Sequence, residues 1–547
     1  MVTRMTLRGV LCGVLLAPFA ALVARAQPGP AYSERYRPQF HFTPAANWMN
    51  DPNGLVFFAG EYHLFYQYNP FGNTWGHMSW GHAVSPDLVH WQYLPVAIPE
   101  VDGVMAFSGS AVVDWKNTSG FGRGGEPPLV AIYTGHRTDR PSQSQFLAYS
   151  TDRGRTWTRY AGNPVLDISV ADFRDPKVFW YEPQQKWVMV LALSLEHKVL
   201  LYSSPDLKRW TPLSEFGPTG AVGGVWECPD LFELPVDGDP QKTRWVLIVN
   251  LNPGGVAGGS GAQYFVGDFD GTRFRAEASG ATAAAGAPDG GALWADYGKD
   301  FYAAVSWSDM PRTDGRRVWI GWMNNWQYGK DIPTSPWRSA QSVPRELALR
   351  TTRDGVRLVQ RPVAEIQRLR GTGRRLGAQP IPVGSTPLAA RGISGTALEI
   401  VAELEAGAAS ELGVKVRTGR NEETVIGVDP RAGRLFVDRT RSGEVSFHPD
   451  FPGRHAGPLP IENGRVRLRI LVDRSSVEVF AGDGRTVITD QIFPDPASDG
   501  VALYATGGPA RLVTLEAWPL QSAWTASGPQ ASDSSHTNHQ PPQPPQR

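Results

Sequence analysis

One short element recurs along the first two-thirds of the chain at intervals near sixty residues. Nothing else in the sequence restricts the fold as strongly. Ser85-Pro86-Asp87-Leu88-Val89-His90-Trp91 returns as Ser204-Pro205-Asp206-Leu207-Lys208-Arg209-Trp210. Looser copies begin at Ser150 and Gly267, so successive starts lie 65, 54 and 63 residues apart. Each copy reads as a turn capped by Asp, with an aromatic behind it to pack on the flanking strands. Between copies, apolar runs alternate with turns: residues 178–181, a turn at 182–184, then 187–193. The segments after Asp51-Pro52 and Cys228-Pro229 do the same. That is about four strands per unit. With 59 Gly and 46 Pro, the chain is also richer in turn formers than long helices tolerate. Repeated four-stranded units predict a β-propeller, here five-bladed, over residues 37–352.

The remainder follows another pattern. Residues 353–379 are basic and are expected to form a linker, partly helical from Val363 to Leu369. From about 380 to 521, period-two alternation is frequent, as in 466–472 and 476–480, and turns are common. This predicts a second all-β domain, a β-sandwich. Residues 522–547 are Pro-, Gln- and Ser-rich with few apolar side chains, so a disordered tail is expected. At the other end, Arg4 and Arg8 precede an apolar run from Leu11 to Val23 and then Ala24-Arg25-Ala26. This reads as a signal peptide over residues 1–26, and predicts export to an extracellular or periplasmic location.

Composition excludes several classes. Lys plus Arg and Asp plus Glu are both 53, so no global field gathers nucleic acid or an anionic membrane. The two cysteines, Cys12 and Cys228, allow neither a disulfide framework nor a zinc site. No metal or organic cofactor is expected, and the chain is expected to be a monomer or weak oligomer.

The repeat has a chemical consequence. One polar motif opens each unit: Asn50-Asp51-Pro52, Phe107-Ser108-Gly109-Ser110, Arg174-Asp175-Pro176, Glu227-Cys228-Pro229, and Asp296 to Asp300. Equivalent positions of successive blades converge on the propeller axis, so these motifs should meet at one end of its channel. Acids at a channel mouth suit a neutral, hydroxyl-rich ligand, and glycoside hydrolysis needs two carboxyl groups flanking the scissile bond. Amide donors around Asp51 should lower its pKa, as a nucleophile requires. The apolar flank of Glu227 should raise its pKa, as a general acid requires. Arg174 should keep Asp175 ionised.

Together, Trp48-Met49-Asn50-Asp51-Pro52-Asn53-Gly54, Phe107-Ser108-Gly109-Ser110, Phe173-Arg174-Asp175-Pro176 and Trp226-Glu227-Cys228-Pro229 resemble the signature blocks of glycoside hydrolase family 32, the β-fructofuranosidases. So do the block from Gly321-Trp322-Met323-Asn324-Asn325-Trp326 through Pro336-Trp337-Arg338 and the block Asp473-Arg474-Ser475-Ser476-Val477-Glu478-Val479-Phe480. The resemblance implies a five-bladed propeller followed by a β-sandwich. It implies a retaining exo-glycosidase that releases fructose from levan, inulin or sucrose. Asp51 would be the nucleophile, Glu227 the acid/base and Asp175 the transition-state stabiliser. Trp48, Asn50, Gln67, Trp75, Phe107, Ser108, Arg174 and Trp326 would bind substrate.

Blander and rival readings exist. Asn-Asp-Pro-Asn-Gly is turn-like in any protein. Arg174–Asp175 alone reads as an ion pair, and Trp75, Trp326 and Gln67 as packing residues. Cys228 could be a thiol nucleophile, but no His stands near it in sequence to activate it. The Asp87 and Asp206 turns read as structural. Ser150 to Trp157 resembles the Asp-box of sialidases, although a sialidase needs an arginine cluster. A fructan-binding lectin should have lost one of the acids. A fructosyltransferase would use the same intermediate.

Overall fold

The computed structural model describes residues 32–140, 142–277, 291–311, 313–459, 461 and 463–524. The expected signal peptide lies outside the described residues, as does the expected tail from residue 525 onward. The protein is built almost wholly of strands, and its few helical turns are short 3₁₀ segments.

Residues 47–362 form antiparallel sheets with nearest-neighbour topology. Asn47–Phe58, Glu61–Tyr68, Ser79–Ser85 and Gln92–Ile98 make the first, extended at its edge by Trp337–Arg338. The strands of 104–159 make the second, and those of 173–216 the third. Hydrogen bonding does not return five separate sheets. The two remaining groups join in one ten-stranded sheet, through a single parallel step between Val236 and Leu349. The leading strands are Asn47–Phe58, Val104–Val113, Phe173–Tyr181, Val225–Val236 and Tyr302–Ser306. Each packs beside the next, and the last returns to the first.

The repeated Asp turns are structural. Ser85 Oγ accepts from Asp87 N–H, and Asp87 Oδ1 accepts from Val89 and His90 N–H at 3.1 and 2.9 Å. Ser204 and Asp206 repeat this, with Lys208 and Arg209 N–H at 3.0 and 2.9 Å. Leu88 and Leu207 both sit at φ 64°, held there by these bonds. Three backbone or hydroxyl donors satisfied by one Ser-x-Asp explain why the element recurs.

The expected linker is shorter than its composition suggests. Gly355–Pro362 is a strand paired residue for residue with Arg345–Thr352, so its basic side chains decorate a hairpin. Ala364–Leu369 forms a 3₁₀ helix, with Ile366 and Leu369 buried. Arg374–Leu376 and Gln379–Ile381 already pair with Ala510–Pro519 in the second domain. Basic composition marked exposure here, and the period-two register decided the pairing.

The second domain is two sheets, of seven and six strands, over one aliphatic core that includes Ile400, Leu412, Ile426, Leu468, Val479 and Leu503. Arg465–Asp473, Ser476–Ala481 and Thr486–Gln491 run where the alternation predicts them. The two domains are joined by buried charge. Arg345 Nη2 meets Glu478 Oε2 at 2.5 Å and its Nη1 meets Asp296 Oδ2 at 2.9 Å. His41 bridges Asp473 (2.8 Å) and Glu478 (2.9 Å), and Arg439 Nη1 holds Asp300 Oδ2 at 2.5 Å.

Candidate active site

Each of the five leading strands breaks its ladder where a site motif lies. Pairing slips between Met49 and Pro52, between Ala106 and Gly109, between Arg174 and Lys177, between Glu227 and Asp230, and between Tyr302 and Val305. A bulge re-aims the side chains it contains, and bulges collect beside active sites for that reason. Pro176 and Pro229 stand inside two of these slips, where a residue without N–H costs no ladder bond, and Pro52 closes a third. Asp175 and Cys228 take positive φ, 65° and 45°. Such backbone is costly for residues other than Gly and persists where the surroundings enforce it. Asn-Asp-Pro-Asn-Gly is therefore not a turn but the bulged start of a central strand. Gly54 (φ 53°) is required there, because a Cβ would lie 2.6 Å from the Phe65 ring and 2.7 Å from the Trp80 ring.

The three acids meet. The Cys228 thiol lies 3.5 Å from Asp51 Oδ2 and 3.6 Å from Asp175 Oδ2. These oxygens are thus no more than about 7 Å apart, the two contacts laid end to end. Cys228 N–H also donates to Asp175 Oδ2 at 2.9 Å. Arg174 Nε donates to Glu227 Oε1 at 3.1 Å and lies 4.0 Å from Asp175 Oδ2. Asp172 and Gln143 fix the other side of that guanidinium. Tyr302 donates its phenol to Glu227 Oε2. The surroundings of Glu227 are thus a cation and a phenol rather than the apolar flank that its sequence neighbours imply. Its side chain is also the most open of the three acids.

The remaining expected residues form one network around them. Ser108 Oγ donates to Asp51 Oδ2 (2.7 Å) and Asn50 Nδ2 to Asp51 Oδ1 (3.1 Å). Trp48 is buried, and its indole N–H orients Asn50 at 2.7 Å while its ring backs Trp326 at 5.9 Å. The structure thus buries Trp48 behind Trp326 and leaves Trp326 partly open. Gln67 is buried and donates to Ala106 O at 2.9 Å. With its amide set to suit its neighbours, Asn53 accepts from Gln67 and donates to Ser108 Oγ. Trp75 is 45% exposed and meets Phe107 edge-on at 5.9 Å. Phe107 in turn stacks on His136 at 4.5 Å.

Electrostatics differ from the sequence expectation. Burial pushes Asp51 up to about 6, and the charge of Glu227 adds to this; the bonds from Ser108, Asn50 and Cys228 do not offset it. The expected amide donors are present, but desolvation wins. Burial likewise raises Asp175, and Arg174 does not compensate against Glu227 and Asp51. The Cys228 thiol is driven far up, by burial and then by Asp175 and Asp51, so it stays protonated and is no nucleophile.

Asp296 to Asp300 do not reach this cluster. Asp296 is bound by Arg345 and Thr489, and Asp300 by Arg439 and Tyr328, all at the domain junction. The motif precedes its strand by too many residues; Tyr302, at the strand's own start, occupies the equivalent place. Tyr302, Gln143 and His136 are the neighbours of the acids and of Phe107 that sequence reasoning missed. The signal for Tyr302 was present as the start of the apolar run that continues to Val305.

The description "Glycosyl hydrolases family 32 N-terminal domain" matches residues 41–362, and "Glycosyl hydrolases family 32 C terminal" matches residues 365–519. A levanase of Bacillus subtilis (strain 168) is 57% identical over 92% of this chain and 73% of its own length. Invertase 2 of Saccharomyces cerevisiae (strain ATCC 204508 / S288c) is 44% identical, over 62% of each chain. The crystal structure of exo-inulinase from Aspergillus awamori superposes with a TM-score of 0.84 and 43% identity, covering 90% of this chain and all of that one. With both parts of the fold matched and its carboxylates gathered at one end of the leading strands, the chain belongs to glycosyl hydrolase family 32 and is a glycoside hydrolase.

Proposed function

We propose that the protein is a secreted, retaining exo-glycosidase that removes terminal non-reducing β-D-fructofuranosyl units from levan, inulin and sucrose and releases fructose. The observation that carries this reading is the convergence of Asp51, Asp175 and Glu227, from three different strands, around Cys228 and Arg174. The similar proteins, a levanase, an exo-inulinase and an invertase, support these substrates. The closed circuit of leading strands supports five blades around one axis. We read the chain as a monomer or weak oligomer.

In this mechanism the fructosyl ring sits over Asp51 and Asp175. Glu227, the most open of the acids, protonates the glycosidic oxygen while Asp51 attacks C2 and the C2–O bond breaks. Water, giving its proton to Glu227, then cleaves the fructosyl–Asp51 ester and frees fructose. Positive charge develops on the ring between these states. The site suits it: Asp51 and Asp175 are short of cationic partners before the reaction and are best matched when the ring supplies the charge. Arg174 holds Glu227 and Asp175 in place, and Trp75, Phe107 and Trp326 offer apolar faces to the sugar.

Product analysis over time on levan, inulin and sucrose tests this. Fructose alone from the two polymers, and fructose with an equal amount of glucose from sucrose, are expected from the first time point. NMR of the nascent sugar should show β-fructofuranose before mutarotation. A ladder of oligomers would overturn the exo mode, and an initial α-anomer would overturn retention.

A further inference from the structure

The same leading strands that begin at the acids end around a second cavity, of about 870 Å³. Phe58, Val113, Trp180 and Phe232 line it, each five to seven residues beyond Asp51, Ser108, Asp175 and Glu227 on its own strand. At about 3.3 Å per residue, that places it roughly 16–23 Å along the strands from the acids, at the opposite mouth of the ring of strands. The proposed reaction makes no use of it.

Its walls are not those of an ordinary void. Trp115 is 62% exposed, yet rigidly held: its indole N–H donates to Asp309 Oδ1 at 2.9 Å and its ring meets Phe58 edge-on at 5.8 Å. Trp180 is held likewise, by Glu182 Oε2 at 2.5 Å, by Lys116 Nζ 4.6 Å from its ring centre, and by the edge of Trp187. Trp75 is the exposed tryptophan at the catalytic mouth, and Trp115 is its counterpart here. Polar groups stand deeper. Buried Lys177 lies 3.5 Å from Asp230 Oδ2, and Asp230 Oδ1 finds no hydrogen-bond partner among the described residues. Cationic and acidic side chains are balanced around the cavity: Lys116, Lys177, Arg316 and Arg317 face four carboxylates. That balance disfavours an ionic ligand. Fixed indoles above a charge-balanced polar lining suit a neutral polyhydroxylated one, whose C–H faces stack on the rings while its hydroxyls meet the polar rim.

We infer that this far mouth is a second, non-catalytic binding site for a neutral oligosaccharide chain, occupied by a segment of the fructan. The identity of the chain rests on the function proposed above; the site itself does not. Binding is read by retardation of the Asp51→Asn protein in native gels cast with levan, inulin or, for comparison, amylopectin. Trp115→Ala combined with Trp180→Ala should reduce retardation by levan or inulin at least threefold, and Trp115→Phe should restore part of it. In the otherwise unaltered enzyme, the double variant should raise KM on levan three- to tenfold and leave kcat/KM on sucrose within twofold. Equal retardation with and without the two indoles overturns the proposal. So does a parallel loss on sucrose, which would mark a structural effect. A wild-type protein that releases no fructose from any substrate would defeat the functional reading, while the gels still judge the site.

Discussion

Two regions of this molecule bury several carboxylates each and pair them differently: Asp473, Glu478 and Asp490 at the domain junction are lowered, whereas Asp51 and Asp175 at the other end are raised, as is the junction's own Asp296, where Arg345 does not offset burial. At the domain junction, Asp473, Glu478, Asp296, Asp300 and Asp490 face His41, Arg345, Arg439 and His455. At the catalytic end, Asp175 and Glu227 share Arg174, and Asp51 is held by neutral donors, Ser108 and Asn50. Burial pushes Asp473 and Glu478 up, but His41 and Arg345 more than reverse it and leave both below their ordinary values. Burial alone would push His41 down; bonding to Asp473 and Glu478 instead lifts it to about 9. At Asp51 and Asp175 the same desolvation is not reversed, and both rise. All four of these carboxylates are buried, and the cationic partners beside them differ. A paired carboxylate holds two domains in register. One short of cations stores unfavourable charge, which in the proposed mechanism the cationic sugar ring relieves.

The comparison breaks most visibly in activity. Asp51→Asn and Glu227→Gln should each lower fructose release by three or more orders of magnitude, about 4 kcal/mol or more at 1.4 per decade, with circular dichroism unchanged. A Glu227→Gln enzyme with near-normal turnover on sucrose would remove Glu227 from its role.

At the junction the expected effect is on stability. Arg345→Met leaves Glu478 and Asp296 without their guanidinium, and should cost about 3–5 kcal/mol, read as a lowered unfolding midpoint in denaturant. Pairing it with Glu478→Leu should recover part of the loss. If the single variant unfolds like the wild type, the junction charges are not mutually compensating.

A third effect is smaller and of opposite sign. Asp51 has a folded pKa of about 6 against an ordinary 3.8. Between those values the folded chain holds a proton that the unfolded chain has lost, so stability falls as pH rises through the window. The penalty is complete above about pH 6 and absent below about 3.8. Asp51→Asn should therefore stabilise the fold at pH 7 by on the order of 1–3 kcal/mol, and the gain should vanish by pH 3.5. Thermal melts of both proteins across this range measure it. The same titration predicts an acid limb in sucrose hydrolysis near pH 6, where Asp51 ceases to be ionised.

Much of this was legible in the chain because repetition converts sequence spacing into spatial equivalence. Asp51, Asp175 and Glu227 stand at corresponding places in their units, and the structure brings them together. The same logic failed for Asp296 to Asp300, because the fifth unit begins its leading strand only at Tyr302. It failed again for the basic stretch after 352, where charge suggested a linker and Gly355–Pro362 forms a strand. The raised pKa values of Asp51 and Asp175 were not legible at all. Local neighbours pointed to a low Asp51 and an apolar Glu227. The determining groups, Tyr302, Arg174 and the desolvating walls, arrive from other strands.

What the amino-acid sequence settled by itself is periodic or local: strand alternation, Ser-x-Asp turns, the bulge-compatible prolines, and which residues could meet. Each depends on the backbone period and on neighbours a few residues away. What only the tertiary structure decided is the balance of charge around each buried acid, since that sums over residues hundreds of positions apart. Asp473 and Glu478 are lowered and Asp51 and Asp175 raised according to the partners that the fold delivers to each.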